Sequence, residues 1–138
     1  MTPAAVQAIK DRGAAFTSAP IYWPNETFEP PADASGNPRP FVWAEIRGLS
    51  SEIRSIGTFG AHWLRDHGFI RFHVEVPSGE GTDRAYALAE TLAAIYRISS
   101  FSGVQTLAPT PAEGGEGSDD GNWFAVSFSV PFYLDYQG

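Results

Sequence analysis

Three stretches of the chain alternate between apolar and polar residues, which is the period expected of a half-buried β-strand. They are FVWAEIRGL (41–49), FIRFHVEVP (69–77) and NWFAVSFSVPFYLDY (122–136). The last should be the longest strand, with Pro131 at an edge or bulge, because proline cannot donate to a strand ladder. Each strand is expected to turn one apolar side to a common core: Val42, Ala44, Ile46, Ile70, Phe72, Val74, Val76, Phe124, Val126, Phe128, Val130, Phe132 and Leu134.

Two other stretches favour helices. Thr2 followed by Pro3 is typical of a helix start and predicts a short helix over residues 3–12, with Gly13 as its stop. The stretch TDRAYALAETLAAIYRI predicts the strongest helix of the chain, which Thr82 can cap. Both helices should dock on the apolar side of the sheet.

The remaining segments complete one domain over residues 1–138. Residues 21–25 and 101–107 read as short strands, and 50–68 as a strand end followed by a long loop or hairpin tip. The order helix, strands, helix, strands predicts an α+β fold. It should have two layers, a mostly antiparallel β-sheet with two helices packed on one face.

Aromatic residues are in surplus away from the predicted core. The segment IYWPNETFEPP (21–31) holds three rings among prolines that keep it extended, and Trp43 points away from the core side of its strand. Some of these aromatic side chains can cover the second face of the sheet. Aromatics and Arg in loops are also typical of protein–protein contact surfaces. The candidate contact residues are Tyr22, Trp23, Phe28, Trp43, Phe59, Trp63 and Arg65.

An acidic, glycine-rich run, PTPAEGGEGSDDGN (109–122), separates the last two predicted strands. It lacks the D-x-D-x-D-G register that fixes calcium ligands. We therefore expect a mobile loop whose carboxylates face solvent: Glu113, Glu116, Asp119 and Asp120.

Charge and composition argue against nucleic-acid binding and membrane insertion. The net charge is −7 with no basic run, so no nucleic-acid site that depends on clustered Lys and Arg is expected. The most apolar helical stretch falls well short of the roughly 20 residues that span a bilayer. The start of the chain lacks the pattern of a signal peptide, so we expect a soluble protein without membrane contact.

Catalytic chemistry finds little support in the sequence. There is no cysteine and no G-x-S-x-G elbow for a nucleophile. A small metal-dependent or hydrolytic enzyme would have to use His62, Asp66, His67 and His73, whose spacing is not that of a zinc site. We predict no catalytic, cofactor or metal site.

The order of these segments resembles a known family. IYWPNETFEPP, FVWAEIRG, GFIRFHVEVPSGEGTDRAYALAETL and GNWFAVSFSVPFYLDY together resemble the tail terminator (tail completion) proteins of long-tailed bacteriophages, the group that includes the lambda minor tail protein U. The resemblance covers nearly the whole chain. Its most specific pieces are the W-P-N…F-x-P-P segment, the V-x-V-P-x-G-x-G turn and the aromatic V-P-F ending.

The resemblance implies a virion protein, assembled in the host cytoplasm, that forms a ring, expected to be a hexamer, at the head-proximal end of the tail tube. There it would end tube polymerisation and join the tail to the head connector. Its partners would be other copies of itself, the major tail tube protein and a connector or neck protein. DNA would pass without sequence-specific binding, so the acidic loop could also line the channel. The alternative within the same particle is another neck protein, a head–tail joining or head-closure subunit.

Overall fold

The computed structural model describes residues 1–79, 81–114 and 122–138. Seven strands form one sheet in the order β1-β2-β3-β7-β5-β4, with β6 paired to β7. The helices are α1 (Pro3–Gly13) and α2 (Asp83–Tyr96), and the strands are β1 (Ile21–Tyr22), β2 (Phe41–Ile53), β3 (Trp63–Pro77), β4 (Ser100–Phe101), β5 (Val104–Thr106), β6 (Glu113–Gly114) and β7 (Trp123–Gln137).

The sheet is antiparallel except for β1, which runs parallel to β2. Along β3 and β7 every second residue is buried, as the alternation predicts. These apolar residues join α1 and α2 in a single core cluster, so the helices cover one sheet face. The predicted α+β class, in which strands dominate, is confirmed.

The two helices are held to each other by polar as well as apolar contacts. Thr2 caps α1 as expected, its Oγ1 accepting from the amide of Ala5 at 3.2 Å. The buried hydroxyl of Tyr96, at the end of α2, donates to the carbonyl of Ile9 at 2.7 Å. Arg12 Nε donates to the carbonyl at Ile95, 2.9 Å away. Among the described residues, no helix is long and apolar enough to span a membrane.

Thr82 lies at the start of α2 but makes no capping hydrogen bond through its side chain, so this detail of the sequence prediction is wrong. Its backbone is already in the helical region (φ −102°, ψ −20°) rather than in the extended conformation that an N-cap side chain requires. Asp83 still places a carboxylate in the first turn, where it complements the helix dipole.

Most of residues 50–68 pair as strands, so of the two predicted alternatives the hairpin tip is confirmed and the long loop is not. β2 runs on to Ile53 and β3 begins at Trp63, which leaves only residues 54–62 as the hairpin loop. The outer part of β2 is exposed, so its side chains have no core face to impose alternation. Pairing with β3 holds this part extended instead.

Pro131 lies inside β7, opposite Phe69 of β3. Its carbonyl accepts from the amide of Leu107 at 2.9 Å, just where β5 has ended at Thr106. In a strand the nitrogen and carbonyl of one residue point to the same side. The nitrogen of Pro131, which has no hydrogen to donate, therefore faces the β5 side of the strand. Pairing with β5 has ended at this point, so the sheet accommodates a proline here.

Candidate functional site

The sheet face opposite the helices carries a hydrogen-bonded group centred on His73. The Trp43 ring stacks on the His73 ring, with centroids 3.8 Å apart and planes 16° apart, and its Nε1 donates to Glu75 Oε2 at 2.8 Å. The His73 ring reaches Glu45 Oε2 at 3.0 Å and Ser127 Oγ at 2.7 Å. Trp43 thus lies on this face, as the alternation predicts, but its ring is fixed by neighbours in its own chain.

The order serine, histidine, glutamate invites comparison with a hydrolase triad. Here Ser127, His73 and Glu45 come from three adjacent strands of the sheet rather than from the sharp strand-to-helix turn that exposes a catalytic serine. The hydrogen bond with His73, followed by that from Arg47, lowers the pKa of Glu45. These hydrogen bonds hold the Trp43 ring in place on this sheet face.

The four residues of the metal-enzyme alternative do not converge. Asp66 is buried on the helix side, where its carboxylate pairs with the α-amino group of Met1 at 2.6 Å. His67 pairs with a carboxylate on the opposite sheet face, and His62 lies at the hairpin loop, 3.4 Å from a backbone carbonyl. His73 belongs to the group around Trp43. Within the described ranges, no three His, Cys, Asp or Glu side chains are arranged to hold a metal.

The proline-rich segment 21–31 folds back onto its own sheet. The rings of Tyr22 and Phe28 lie 4.7 Å apart, and that of Phe28 lies 5.5 Å from Phe41. Phe41 in turn meets Trp123 edge to face at 5.0 Å. This aromatic cluster covers one end of the open sheet face, and Phe28 is still 43% exposed.

Trp23 points to the other side, toward the core. Its ring meets that of Phe72 edge to face at 6.0 Å. A Cβ at Gly13 would come within 2.8 Å of the Trp23 ring, so the glycine that ends α1 also makes room for this side chain. Glu26 fixes the turn, its carboxylate accepting from the Trp23 amide at 2.8 Å. A large part of Trp23 is therefore buried within its own domain.

Arg65 is held at the base of the β2–β3 hairpin. Its guanidinium binds the Asp135 carboxylate through two hydrogen bonds of 2.7 and 2.9 Å and lies 4.1 Å from the centre of the Tyr133 ring. This pairing lowers the pKa of Asp135. Arg65 is thus engaged within the subunit, on a surface that is open to contact.

The hairpin beyond this base exposes large apolar side chains. Phe59 is fully exposed and Trp63 is 48% exposed, and both are among the predicted contact residues. Sequence reasoning missed three further members, although isolated apolar residues in an otherwise polar stretch were a visible signal. We call the five residues together the hairpin knob: Leu49, Ile53, Ile56, Phe59 and Trp63.

The described part of the acidic run that precedes residue 115 pairs with β7. Glu113 is exposed and lies in β6, opposite Ser127 of β7, and the amide of Thr110 donates to the carbonyl at Ser129 at 2.8 Å. Residues 109–114 therefore do not form the free loop that was expected. Three of the predicted acidic residues lie outside the described residues: Glu116, Asp119 and Asp120.

The fold defines a small α+β protein that exposes large apolar side chains on its β2–β3 hairpin. The chain belongs to the phage tail terminator protein family, whose sequence profile matches residues 3–132. Membership identifies it as a structural component of a phage tail.

Comparison with solved structures supports the same architecture. Among 14 solved chains that match, one superposes with a TM-score of 0.64 at 19% sequence identity, covering 96% of this chain and 94% of the other. At this identity the likeness establishes the fold alone. A search of curated proteins gives no significant match.

Proposed function

We propose that this protein forms a ring, expected to be a hexamer, at the head-proximal end of a phage or phage-like tail tube. The ring ends tube polymerisation and joins the tail to the head connector. The family assignment over residues 3–132 carries this proposal. The exposed hairpin knob supports it, because a subunit that works by assembly must bury apolar surface against partners.

The proposed partners are other copies of the chain, the major tail tube protein and a connector or neck protein. Assembly takes place in the host cytoplasm, and the finished ring belongs to the virion. DNA passes through without sequence-specific binding and no membrane takes part. The net charge of −7 suits this role, since a basic lumen would retain the phosphate backbone. Glu113, which is exposed, is proposed to face either solvent or the channel.

The role is proposed to be non-enzymatic, with no cofactor or metal. The purified protein should contain no stoichiometric metal by elemental analysis, and a chelator should leave its melting temperature unchanged. A bound metal whose loss destabilises the protein would reopen the alternative built on His62, Asp66, His67 and His73.

The test combines the purified protein with tail tubes and, separately, with DNA-filled heads that lack tails. Negative-stain images should show rings of the protein, and rings should cap one end of each tube and stop further addition of tube protein. Tubes without the protein serve as the control. Binding to heads but not to tube ends would replace the terminator role with that of a head-closure or joining protein.

A further inference from the structure

The outer edge of β2 is open over most of its length. β1 pairs with β2 only at Val42 and Trp43, and no other strand of the described residues lies along that edge. After β1 the chain turns away from the edge at Pro24 and Asn25, where Asn25 has a φ of 62°. A groove of about 440 Å³ remains beside residues 44–47, so a further strand has room to enter here.

The hydrogen bonds of β2 show which of its residues face the open edge. The amide of Val42 donates away from β3, to the carbonyl of Pro20, whereas the amide of Arg54 donates to β3. Successive residues of a strand point to opposite sides, and the register shift between Gly48 and Ser50 changes the order from even to odd residue numbers. The residues whose N–H and C=O groups face the open edge are therefore Ala44, Ile46, Gly48, Ser51 and Ile53.

The charged residues along this edge are complementary to themselves. Glu45 and Arg47 precede the bulge and Glu52 and Arg54 follow it, all on the sheet face opposite the helices. Their side chains are at least 30% exposed. When the strand is laid antiparallel beside a second copy of itself, with Arg47 opposite Glu52, Glu45 falls opposite Arg54. Opposite charges in such cross-strand positions stabilise pairing.

The same register satisfies the backbone of the edge. It places Ile46 opposite Ile53 and Gly48 opposite Ser51, and because these residues all face the edge, each pair can exchange two hydrogen bonds. The charged residues then occupy the positions without hydrogen bonds, where the side chains of an antiparallel pair lie closest. The extra residue of the bulge, Leu49, occurs in both strands beside the two-fold axis, so the pairing stays in step on either side of it.

We propose that two copies of the chain pair antiparallel along the open edge of β2, in the register that sets Arg47 opposite Glu52. Ile53, which is 67% exposed in a single copy, then lies opposite Ile46, which packs against the core. The contact joins identical surfaces and so closes at two copies, whereas a ring needs two unlike surfaces. The inference therefore concerns the free protein before ring assembly and does not rest on the proposed function.

A second copy is the occupant that this edge selects. Bulges and charged side chains normally deter pairing at an edge strand, because an ordinary strand leaves the extra residue and the charges unmatched. A second β2 carries the same bulge and presents the opposite charge at each charged position. Pairing also covers an edge that would otherwise be a template for aggregation, so it keeps the free protein soluble until it assembles.

Two charge reversals test the order of the charges. Arg47→Glu places a glutamate opposite Glu52 at both ends of the contact, and Glu52→Arg places an arginine opposite Arg47. Each variant alone should dimerise about tenfold or more weakly than the parent in sedimentation velocity, because like charges directly opposite each other destabilise pairing. An equimolar mixture restores opposite charges at both positions and should associate as the parent does. Unchanged dimerisation of either variant, or a mixture that associates no better than its components, would refute the proposal.

Disulfide trapping tests the register directly because the chain has no cysteine. Opposed residues without hydrogen bonds have Cα atoms about 4.5 Å apart, within the reach of a disulfide. Mixing Arg47→Cys with Glu52→Cys under mild oxidation should therefore give a 47–52 cross-linked pair. Arg47→Cys mixed with Arg54→Cys is the matched control, because it uses the same face of the same strand two residues out of register, and it should remain uncross-linked.

The outcomes separate this contact from the proposed function. Rings in images without a 47–52 cross-link, or a 47–54 cross-link in place of it, would overturn the β2 pairing and leave the terminator role standing. A free protein that stays monomeric at high concentration would also overturn the pairing, whatever it does at tube ends. A 47–52 cross-link in a protein that never caps tubes would support the pairing and refute the terminator role.

Discussion

Replacing Trp23 by alanine distinguishes the two interpretations of the proline-rich segment. If Trp23 contacts a neighbouring subunit, as its place among the candidate contact residues implies, Trp23→Ala should weaken self-association more than it lowers subunit stability. The structure favours the opposite result, because the indole ring of Trp23 packs against Phe72 and occupies the space that Gly13 leaves. We therefore expect the main loss in the folding of the isolated subunit.

The size of the loss follows from the partial burial of the ring. Truncating a fully buried Phe or Trp to alanine lowers the free energy of unfolding by about 3–5 kcal/mol. Trp23 keeps part of its surface in solvent, so a loss of about 2 kcal/mol is expected. For a domain of this size, that corresponds to a melting temperature lower by roughly 5–10 °C.

Urea unfolding followed by circular dichroism, at concentrations where the chain is monomeric, measures this loss. Phe28→Ala is the matched control, because Phe28 lies in the same segment but is 43% exposed. It should lose less than about 1 kcal/mol. If Trp23→Ala lost less than about 0.5 kcal/mol while its self-association fell tenfold, Trp23 would pack on a neighbouring subunit and our reasoning from burial would be wrong.

Three further results are expected. Gly68→Ala should lower the free energy of unfolding by about 1–3 kcal/mol in denaturant titrations, because its Cβ would meet the Arg47 carbonyl and come within 2.8 Å of Phe132; a neutral effect would show that β2 can move away. Tyr96→Phe should cost about 1 kcal/mol in the same assay through the lost hydrogen bond to Ile9, and an unchanged midpoint would mean that the bond is not formed. Glu45→Gln should be less stable than the parent at pH 7, because the pKa of Glu45 is lowered in the folded state. The difference should begin to shrink near the ordinary glutamate pKa of 4.5 and disappear as the pH falls through the lower pKa of the folded state; a difference that grows on acidification would contradict this.

The sequence predicted those parts of the fold in which one side of an element is buried. β3, β7 and the inner half of β2 each alternate, because a residue facing the helices must be apolar and its neighbour need not be. The outer half of β2 was not predicted as a strand, because neither of its sides is buried. From Ser50 to Ile53 the side chains on both faces are exposed, so no alternation marks this part as a strand.

The candidate contact residues show a similar limit. Aromatics bracketed by prolines signalled burial, but the burial partner depends on how the chain folds back. Trp23 turns inward onto the core and Phe28 joins a cluster on the open face, although only four residues separate them.

The continuous pairing of β3 with β7, from Trp63 opposite Gln137 to Pro77 opposite Trp123, bears on the dimensions of the proposed ring. A strand of 15 residues is about 50 Å long, and β7 pairs with β3 along its whole length. The hairpin loop therefore lies at the end of a long paired strand that is anchored in the core. The distance from the core to the hairpin loop therefore changes in steps of one residue per strand. Adding one residue to each strand of the hairpin would move the loop by about 3.3 Å and reverse which way the knob side chains point, whereas adding two would move it by about 6.6 Å and preserve their direction. The spacing of subunits in such a ring can therefore be adjusted by paired insertions without redesigning the core.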